Sequence, residues 1–378
     1  MDVRRKVFEI LKDVREEGTE AVRRYSKKFD DYDGKLKVED MSPGQEIPEE
    51  DKHVIEEIID RVFRYHRRQL ENDELYTERG SIYGMLHRPV QRAGLYVPGG
   101  EPLPSSLIMS GVPAKIAGVE DVAVVTPPMD GEIDPYVSFV ADSLGFDEIY
   151  RIGGAQAIGA MAYGAGMKKV DKIFGPGNEY VNEAKRQVFG DVGIDSLAGP
   201  SDVCIISDSS ARVSYVLSDL ESQLEHGVNS KAWLLTTSEE LAEEARSRTD
   251  SEVFLFKDLN SCVEKSNEIA PEHLEIITED PLGVLEGVKN AGAVYLGEYT
   301  PVAAADYFLG VNHILPTGGA SRFSSVLTVK DFMKSMSVAY VGEDEFRDDC
   351  HLGIRLADIE NMTSHKRSME VRLDEKED

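Results

Sequence analysis

The chain has 378 residues, with 42 Lys and Arg against 70 Asp and Glu, giving a formal charge of −28. A chain this acidic repels nucleic acid and anionic membrane at long range, which sets both aside as main partners. Its length implies two to three domains, and 41% hydrophobic residues exclude wholesale disorder. Three cysteines, Cys204, Cys262 and Cys350, form an odd, sparse set. That argues against a secreted disulfide scaffold and fits a reducing cytoplasm. The opening Met1-Asp2-Val3-Arg4-Arg5-Lys6 reads as amphipathic helix rather than signal core, and no run of about 18 apolar residues is available to span a membrane.

Residues 3–29 read as helix. Val3, Val7, Ile10, Leu11 and Val14 recur at helical spacing, Gly18 interrupts, and Ala21 and Val22 resume. Residues 30–50, rich in Asp, Gly and Pro, read as loop with a short strand. A second helix covers about 51–70, with Val54, Ile58, Ile59 and Val62 on one face. His53 and His66 on that helix read as surface residues.

From Ala93 onward short apolar runs alternate with helical patterns. Strands are expected at 94–97, 122–126, 148–152 and 172–174, and helices at 105–117, 135–144, 155–163 and 178–189. After Ala198-Gly199-Pro200-Ser201 the alternation restarts. Strands follow at 203–207, 232–236, 253–256, 274–277 and 293–296, with helices at 213–225, 241–247 and about 302–309. A last helix is expected at about 345–363, before a charged, solvated end. This βαβα order implies mostly parallel sheets flanked by helices, in two α/β blocks of roughly 94–200 and 201–330. Two such blocks in tandem suggest a structural duplication.

Three glycine-rich turns follow expected strands and precede helices: Gly99-Gly100, Gly153-Gly154 and Gly175-Pro176-Gly177-Asn178. Ligands bind at the carboxyl ends of strands in open parallel sheets, and helix N-termini there attract phosphates. None of the three completes a G-x-G-x-x-G fingerprint. Each alone is more often a tight turn, and the three together make a nucleotide site an equal alternative.

Gln223 and His226 lie three apart on one expected helix, so both project from one face. Asp306 lies on another helix, seven residues before His313, and Glu360 precedes His365 by five. Gln, His, Asp and His would make a nitrogen and oxygen shell suited to zinc, although spacing alone leaves these residues scattered. Glu272-His273, at a strand start, sets a carboxylate beside an imidazole. Such a pair can move protons near neutral pH; the alternative is a solvated, proline-led turn.

Taken in order, these segments resemble the histidinol dehydrogenase family over nearly the whole chain. The matching stretches include Gly94-Leu95-Tyr96-Val97-Pro98-Gly99-Gly100, Gly153-Gly154-Ala155-Gln156-Ala157-Ile158 and Gly175-Pro176-Gly177-Asn178. They continue through Asp195-Ser196-Leu197-Ala198-Gly199-Pro200-Ser201, Ser222-Gln223-Leu224-Glu225-His226 and Pro271-Glu272-His273. They end with Asp306-Tyr307, Asn312-His313-Ile314-Leu315-Pro316-Thr317 and Ser364-His365-Lys366.

The resemblance implies a zinc-dependent, NAD⁺-linked, four-electron oxidation of L-histidinol to L-histidine through an aldehyde. By it, Gln223, His226, Asp306 and His365 look like zinc ligands, and Ser201, His313 and Glu360 like further substrate contacts. Tyr96, Gln156 and Asn178 look like NAD⁺ contacts. His273, also at the substrate, looks like the base for the alcohol, and Glu272 the group that activates water. The fold implied is two tandem Rossmann-like α/β domains with mostly parallel sheets and small helical terminal segments, in a domain-exchanged dimer. Residues 1–30 would form an N-terminal helical segment. Residues 31–93 with 201–330 would form the metal and substrate domain, and 94–200 the NAD⁺ domain. Residues 331–378 would reach the partner subunit of a cytoplasmic homodimer.

Two rival readings remain. A family relative could oxidise another small alcohol, such as a sulfonated diol; Glu360 opposes it, since a carboxylate suits an amine and repels a sulfonate. A catalytically silent metal- or nucleotide-binding protein has no need of both Glu272 and His273.

Overall fold

The computed structural model describes residues 2–39, 47–100, 102–225 and 229–374. They fall into two compact units: Met1–Leu70 with Pro89–Phe332, and Glu71–Arg88 with Met333–Asp378.

The chain opens with helices α1 (Val3–Glu17) and α2 (Thr19–Asp30), broken at Gly18, whose φ of +65° suits a residue without a side chain. Val7, Ile10, Leu11 and Val14 of α1 and Ala21 and Val22 of α2 are buried in one cluster with the helices of the first sheet. Residues 36–38 run beside the strand at 148–151, where Val38 donates to Ile149 O and Arg151 to Leu36 O. This part of the 31–93 stretch therefore lies against the first sheet. Helix α3 (Glu49–His66) follows. His66, expected on the surface, is fully buried. Its Nδ1–H donates to Val62 O (2.9 Å) and its Nε2 accepts from Asn312 Nδ2 (3.2 Å).

Strands β1 (Glu74–Glu78) and β2 (Ser81–Pro89) form an antiparallel hairpin that the sequence reading passes over. All of β1 is exposed, so no apolar alternation marks it. The first parallel sheet is built from β3 (Arg92–Tyr96), α4 (Pro104–Ala117), β4 (Asp121–Thr126), α5 (Pro135–Leu144) and β5 (Glu148–Arg151). It continues with α6 (Gly154–Tyr163), β6 (Lys172–Phe174), α7 (Glu179–Val188) and β7 (Gly193–Ile194). Its strand order is β5-β4-β3-β6-β7, all parallel. Every residue of β3 is buried, as a central parallel strand with both faces covered requires.

The second sheet repeats the plan with β8 (Asp202–Ser207), α8 (Val213–Leu224), β9 (Lys231–Thr236), α9 (Glu239–Arg248) and β10 (Glu252–Leu255). Then come α10 (Leu259–Ile269), β11 (His273–Ile277), α11 (Pro281–Leu285), β12 (Ala293–Leu296) and α12 (Val302–Tyr307). The order β10-β9-β8-β11-β12 is again all parallel and mirrors the first sheet strand for strand. Helix α10 is absent from the sequence reading. Its buried face includes Ser266 beside Cys262 and Val263, so its apolar stripe is thin.

The second unit contains the sheet β1-β2-β13, with β13 at Met333–Tyr340, and helices α13 (Glu343–Ile359) and α14 (Thr363–Asp374). The sequence reading places one helix at 345–363. Asn361, at φ +57°, turns the chain there instead, and α14 returns along α13 with Lys366 paired to Asp358 at 3.0 Å. Among the described residues no helix is long and apolar enough to cross a membrane.

Candidate active site

Residues 195–201 link the carboxyl end of β7 to the amino end of β8. A span that short reaches at most about 25 Å, so the carboxyl end of β7 and the amino end of β8 lie within that distance of each other. One candidate site is at the carboxyl edge of the first sheet, the other at the amino edge of the second.

The first site is a cavity of about 900 Å³ lined by the three glycine turns and the inner face of α1 and α2. It opens where the strand order reverses on either side of β3, the usual ligand crevice of such sheets. Tyr96 ends β3, is 4% exposed, and accepts the Gly154 N–H on its hydroxyl at 3.1 Å; burial pushes its phenol up to about 12. Gln156, 1% exposed, donates from Nε2 to Asp30 Oδ2 at 3.3 Å, while its Oε1 is buried without a partner among the described residues. Asn178 caps α7, accepting Tyr180 N–H and Val181 N–H on Oδ1, so its Nδ2 is what remains for a ligand. The three expected cofactor contacts thus line one cavity.

The Gly175 turn below them is held rigidly. Lys185 and Asp195 form a buried ion pair; Asp195 accepts Gly175 N–H at 2.8 Å, and Lys185 donates to Gly175 O at 3.0 Å. A Cβ at Gly175 would collide with the Tyr96 carbonyl oxygen, on top of a φ of +115°.

The second site gathers residues from four elements. His273 and Asp202 begin β11 and β8 with Glu272 and Ser201 immediately before them, Gln223 lies in the last turn of α8, and Asp306 lies on α12. Helices antiparallel to the strands return to the amino edge, and so Gln223 arrives there. Gln223, 2% exposed, donates from Nε2 to Ser201 Oγ at 2.9 Å, leaving Oε1 as its atom for a cation. Ser201 is also hydrogen-bonded to the Glu272 side chain. His273 Nε2 lies 3.7 Å from Glu272 Oε1, and its Nδ1 lies 3.2 Å from Tyr295 Oη. His313 Nδ1 is 3.9 Å from Asp306 Oδ1 and 3.2 Å from Asp306 O.

Burial sets the charge balance. It pushes Glu272 up to about 8, helped by the negative charges of Asp202 and Asp306 and opposed by hydrogen bonds from Ser201 and the Asp202 N–H. Burial pulls His313 below its ordinary value against the holding charge of Asp306. Burial, then the acids Asp306, Glu272 and Glu275, raises the Tyr295 phenol.

This cluster of acids with a neutral amide oxygen suits a divalent cation chemically. Among the described residues no group of three His, Cys, Asp or Glu could hold a metal alone. Gln223 and Asp306 would therefore need His226 and His365 to complete four ligands. His226 lies outside the described residues. His365 and Glu360 belong to the second unit, both exposed, at α14 and at the end of α13.

Asp30, Asp202 and Tyr295 are not among the site residues expected from the sequence. Asp202 has a readable signal, the run Pro200-Ser201-Asp202 opening a strand beside Pro271-Glu272. Asp30 and Tyr295 have none, since only folding brings them to Gln156 and His273.

A dinucleotide-sized cavity at the switch point of one parallel sheet, beside a buried acid–imidazole cluster on a second, is the architecture of a nucleotide-linked oxidoreductase. A family model described as histidinol dehydrogenase matches residues 1–373. The histidinol dehydrogenase of Thermococcus kodakarensis is 61% identical over 97% of this chain and 98% of its own length. That of Heliobacterium mobile is 42% identical over 97% and 93%. A crystal structure of histidinol dehydrogenase from Elizabethkingia anophelis superposes with a TM-score of 0.94 at 32% identity, covering 99% of this chain and 93% of that one. The chain belongs to the histidinol dehydrogenase family.

Proposed function

We propose that the protein oxidises L-histidinol to L-histidine, through the aldehyde, with two NAD⁺ in turn and one Zn²⁺ per site. The observation that carries this reading is the meeting of buried Gln223, Glu272 and His273 with half-buried Ser201, Asp306 and His313 in one cluster, from positions spread over more than a hundred residues. The sequence kinship supports it.

Zinc held by Gln223, His226, Asp306 and His365 would supply a Lewis acid that fixes the substrate's imidazole and amine without changing oxidation state. NAD⁺ against Tyr96, Gln156 and Asn178 would supply the hydride acceptor. His273 takes the alcohol proton at Nε2, its ring oriented by Tyr295 on Nδ1. Glu272 takes a proton from the water that adds to the aldehyde, so that a second hydride can leave. Ser201 orients Gln223 and Glu272 together. His313 and Glu360 hold the substrate's polar end, with Glu360 facing its ammonium group. Enclosure of the cluster keeps the reactive aldehyde from bulk water.

We also propose a cytoplasmic homodimer in which residues 331–378 complete the partner's site. Leu352, Leu356 and Ile359 support this, because they form an exposed apolar stripe on α13 leading to Glu360 and His365.

The test is purified protein with L-histidinol and NAD⁺, with and without chelator and added zinc. Two NADH per histidine are expected, lost on chelation and restored by zinc. Turnover of a sulfonated diol with none of histidinol would replace this reading by the rival one. His226→Asn should lower metal content, whereas Glu272→Gln should keep metal and slow the aldehyde step by about 10²–10⁴.

A further inference from the structure

Glu275 has no place in the chemistry above, yet it is 1% exposed in the middle of the second sheet. It lies two residues after His273, on the same face of β11. Its Oε1 accepts the N–H of Val302, the first residue of α12, at 2.7 Å. Its Oε2 is buried and, among the described residues, meets no N–H or hydroxyl donor. The group within hydrogen-bond reach is the carboxyl of Asp219 on α8, and two carboxyl groups can bond only through a shared proton.

Asp219 is four residues before Gln223, on the same helix face. Val302 is four residues before Asp306, with one helical turn between them. Beside Glu275 in register stands Tyr295, whose hydroxyl contacts His273. The neighbour on β8 is Ile205, and apolar Leu220, Ile277 and Ala305 fill the surrounding cluster. An acid pair in such surroundings is poor at stabilising a fold, since aliphatic side chains would pack there without the desolvation cost. Burial raises both groups, Asp219 to about 6 against the lowering effect of its hydrogen bond with Glu275, and Asp219 lifts Glu275 further, in keeping with one retained proton.

We propose that Glu275 is a positioning residue, which through Asp219 and the Val302 amide fixes the helices bearing Gln223 and Asp306 to the strand bearing His273. This rests on the zinc and histidinol reading for its consequence, but its geometry is independent of it. Glu275 touches no substrate or metal; it sets the spacing of those that would.

Glu275→Gln keeps an acceptor for Val302 and offers an amide donor to Asp219. Glu275→Leu keeps the volume and removes both bonds. Zinc affinity is read by competition with a chromophoric chelator, and kcat and KM for histidinol are measured beside it. Glu275→Leu should weaken zinc by about 10–100-fold, as loss of an outer support does. NAD⁺ affinity should hold, because the cofactor cavity is on the other sheet, and Glu275→Gln should restore zinc binding to near the wild-type value. Should Glu275→Leu fail to fold, the half-buried Asp219→Ala takes its place with the same expected loss. A folded Glu275→Leu or Asp219→Ala that binds zinc like wild type overturns the proposal. A wild-type protein inactive on histidinol, whose zinc affinity still drops in these variants, overturns the functional reading and leaves the positioning role standing.

Discussion

Asp202 and Glu272 each give a backbone N–H to the other's carboxyl group, Asp202 N to Glu272 Oε2 at 3.0 Å and Glu272 N to Asp202 Oδ1 at 2.7 Å. They stand at the starts of neighbouring parallel strands, where amide groups lack a ladder partner and buried donors need one. The exchange fixes the Glu272 carboxyl, and the charge of Asp202 helps to push it up to about 8. Asp202→Asn keeps an acceptor oxygen and removes the negative charge. Less repulsion lets Glu272 ionise at lower pH. The acid limb of the kcat/KM profile should therefore move to lower pH. An unmoved limb would show that another group governs it.

Asp30 reaches the cofactor cavity from the end of α2 and holds Gln156 by its Nε2. That orientation leaves Gln156 Oε1 as a buried acceptor with no partner among the described residues, ready for a donor on a ligand. Asp30→Ala frees the amide to rotate. Titration calorimetry should show NAD⁺ binding weakened by about tenfold, the worth of one charge-assisted hydrogen bond. Zinc content should stay at the wild-type level, because Asp30 belongs to the first sheet's cavity.

Much of this architecture is legible in the sequence because parallel strands buried on both faces are near-continuous apolar runs. Val122–Thr126 and Val203–Ser207 stand out for that reason, and glycine turns mark their ends. The hairpin at 74–89 is not legible, because its first strand buries nothing. His66 misleads for the opposite reason. It closes a charged helix, yet Asn312, 246 residues away, supplies the partner that makes burial tolerable. The candidate site follows the same division. Glu272-His273 and Gln223 are visible as local motifs. Asp219, Glu275 and Tyr295 acquire meaning only once strand register sets Glu275 beside Tyr295.

His66 also gives the fold a dependence on acid. Burial lowers its pKa below the ordinary 6.5, with the Val62 carbonyl bond opposing. Below pH 6.5 the unfolded chain binds a proton there that the folded chain refuses, so stability present above that pH is lost as the pH falls. His66→Gln should cost about 1–3 kcal/mol at pH 7 through lost buried hydrogen bonds. It should also shrink the drop in melting temperature between pH 7 and pH 5. An equal drop in both proteins would assign the acid sensitivity to other groups.

Mixed oligomers test whether the terminal segment serves a neighbour. Gln223→Ala removes a proposed ligand from the first unit, and His365→Ala removes one from the second. Each homodimer should be inactive. If a site combines Gln223 of one subunit with His365 of the other, a heterodimer of the two variants has one site with both residues intact and one with neither. Unfolding and refolding an equal mixture makes half the dimers heterodimers, so about a quarter of wild-type activity should return. If instead each chain completes its own site, every site in the mixture lacks one ligand, and activity should stay at the level of the separate variants.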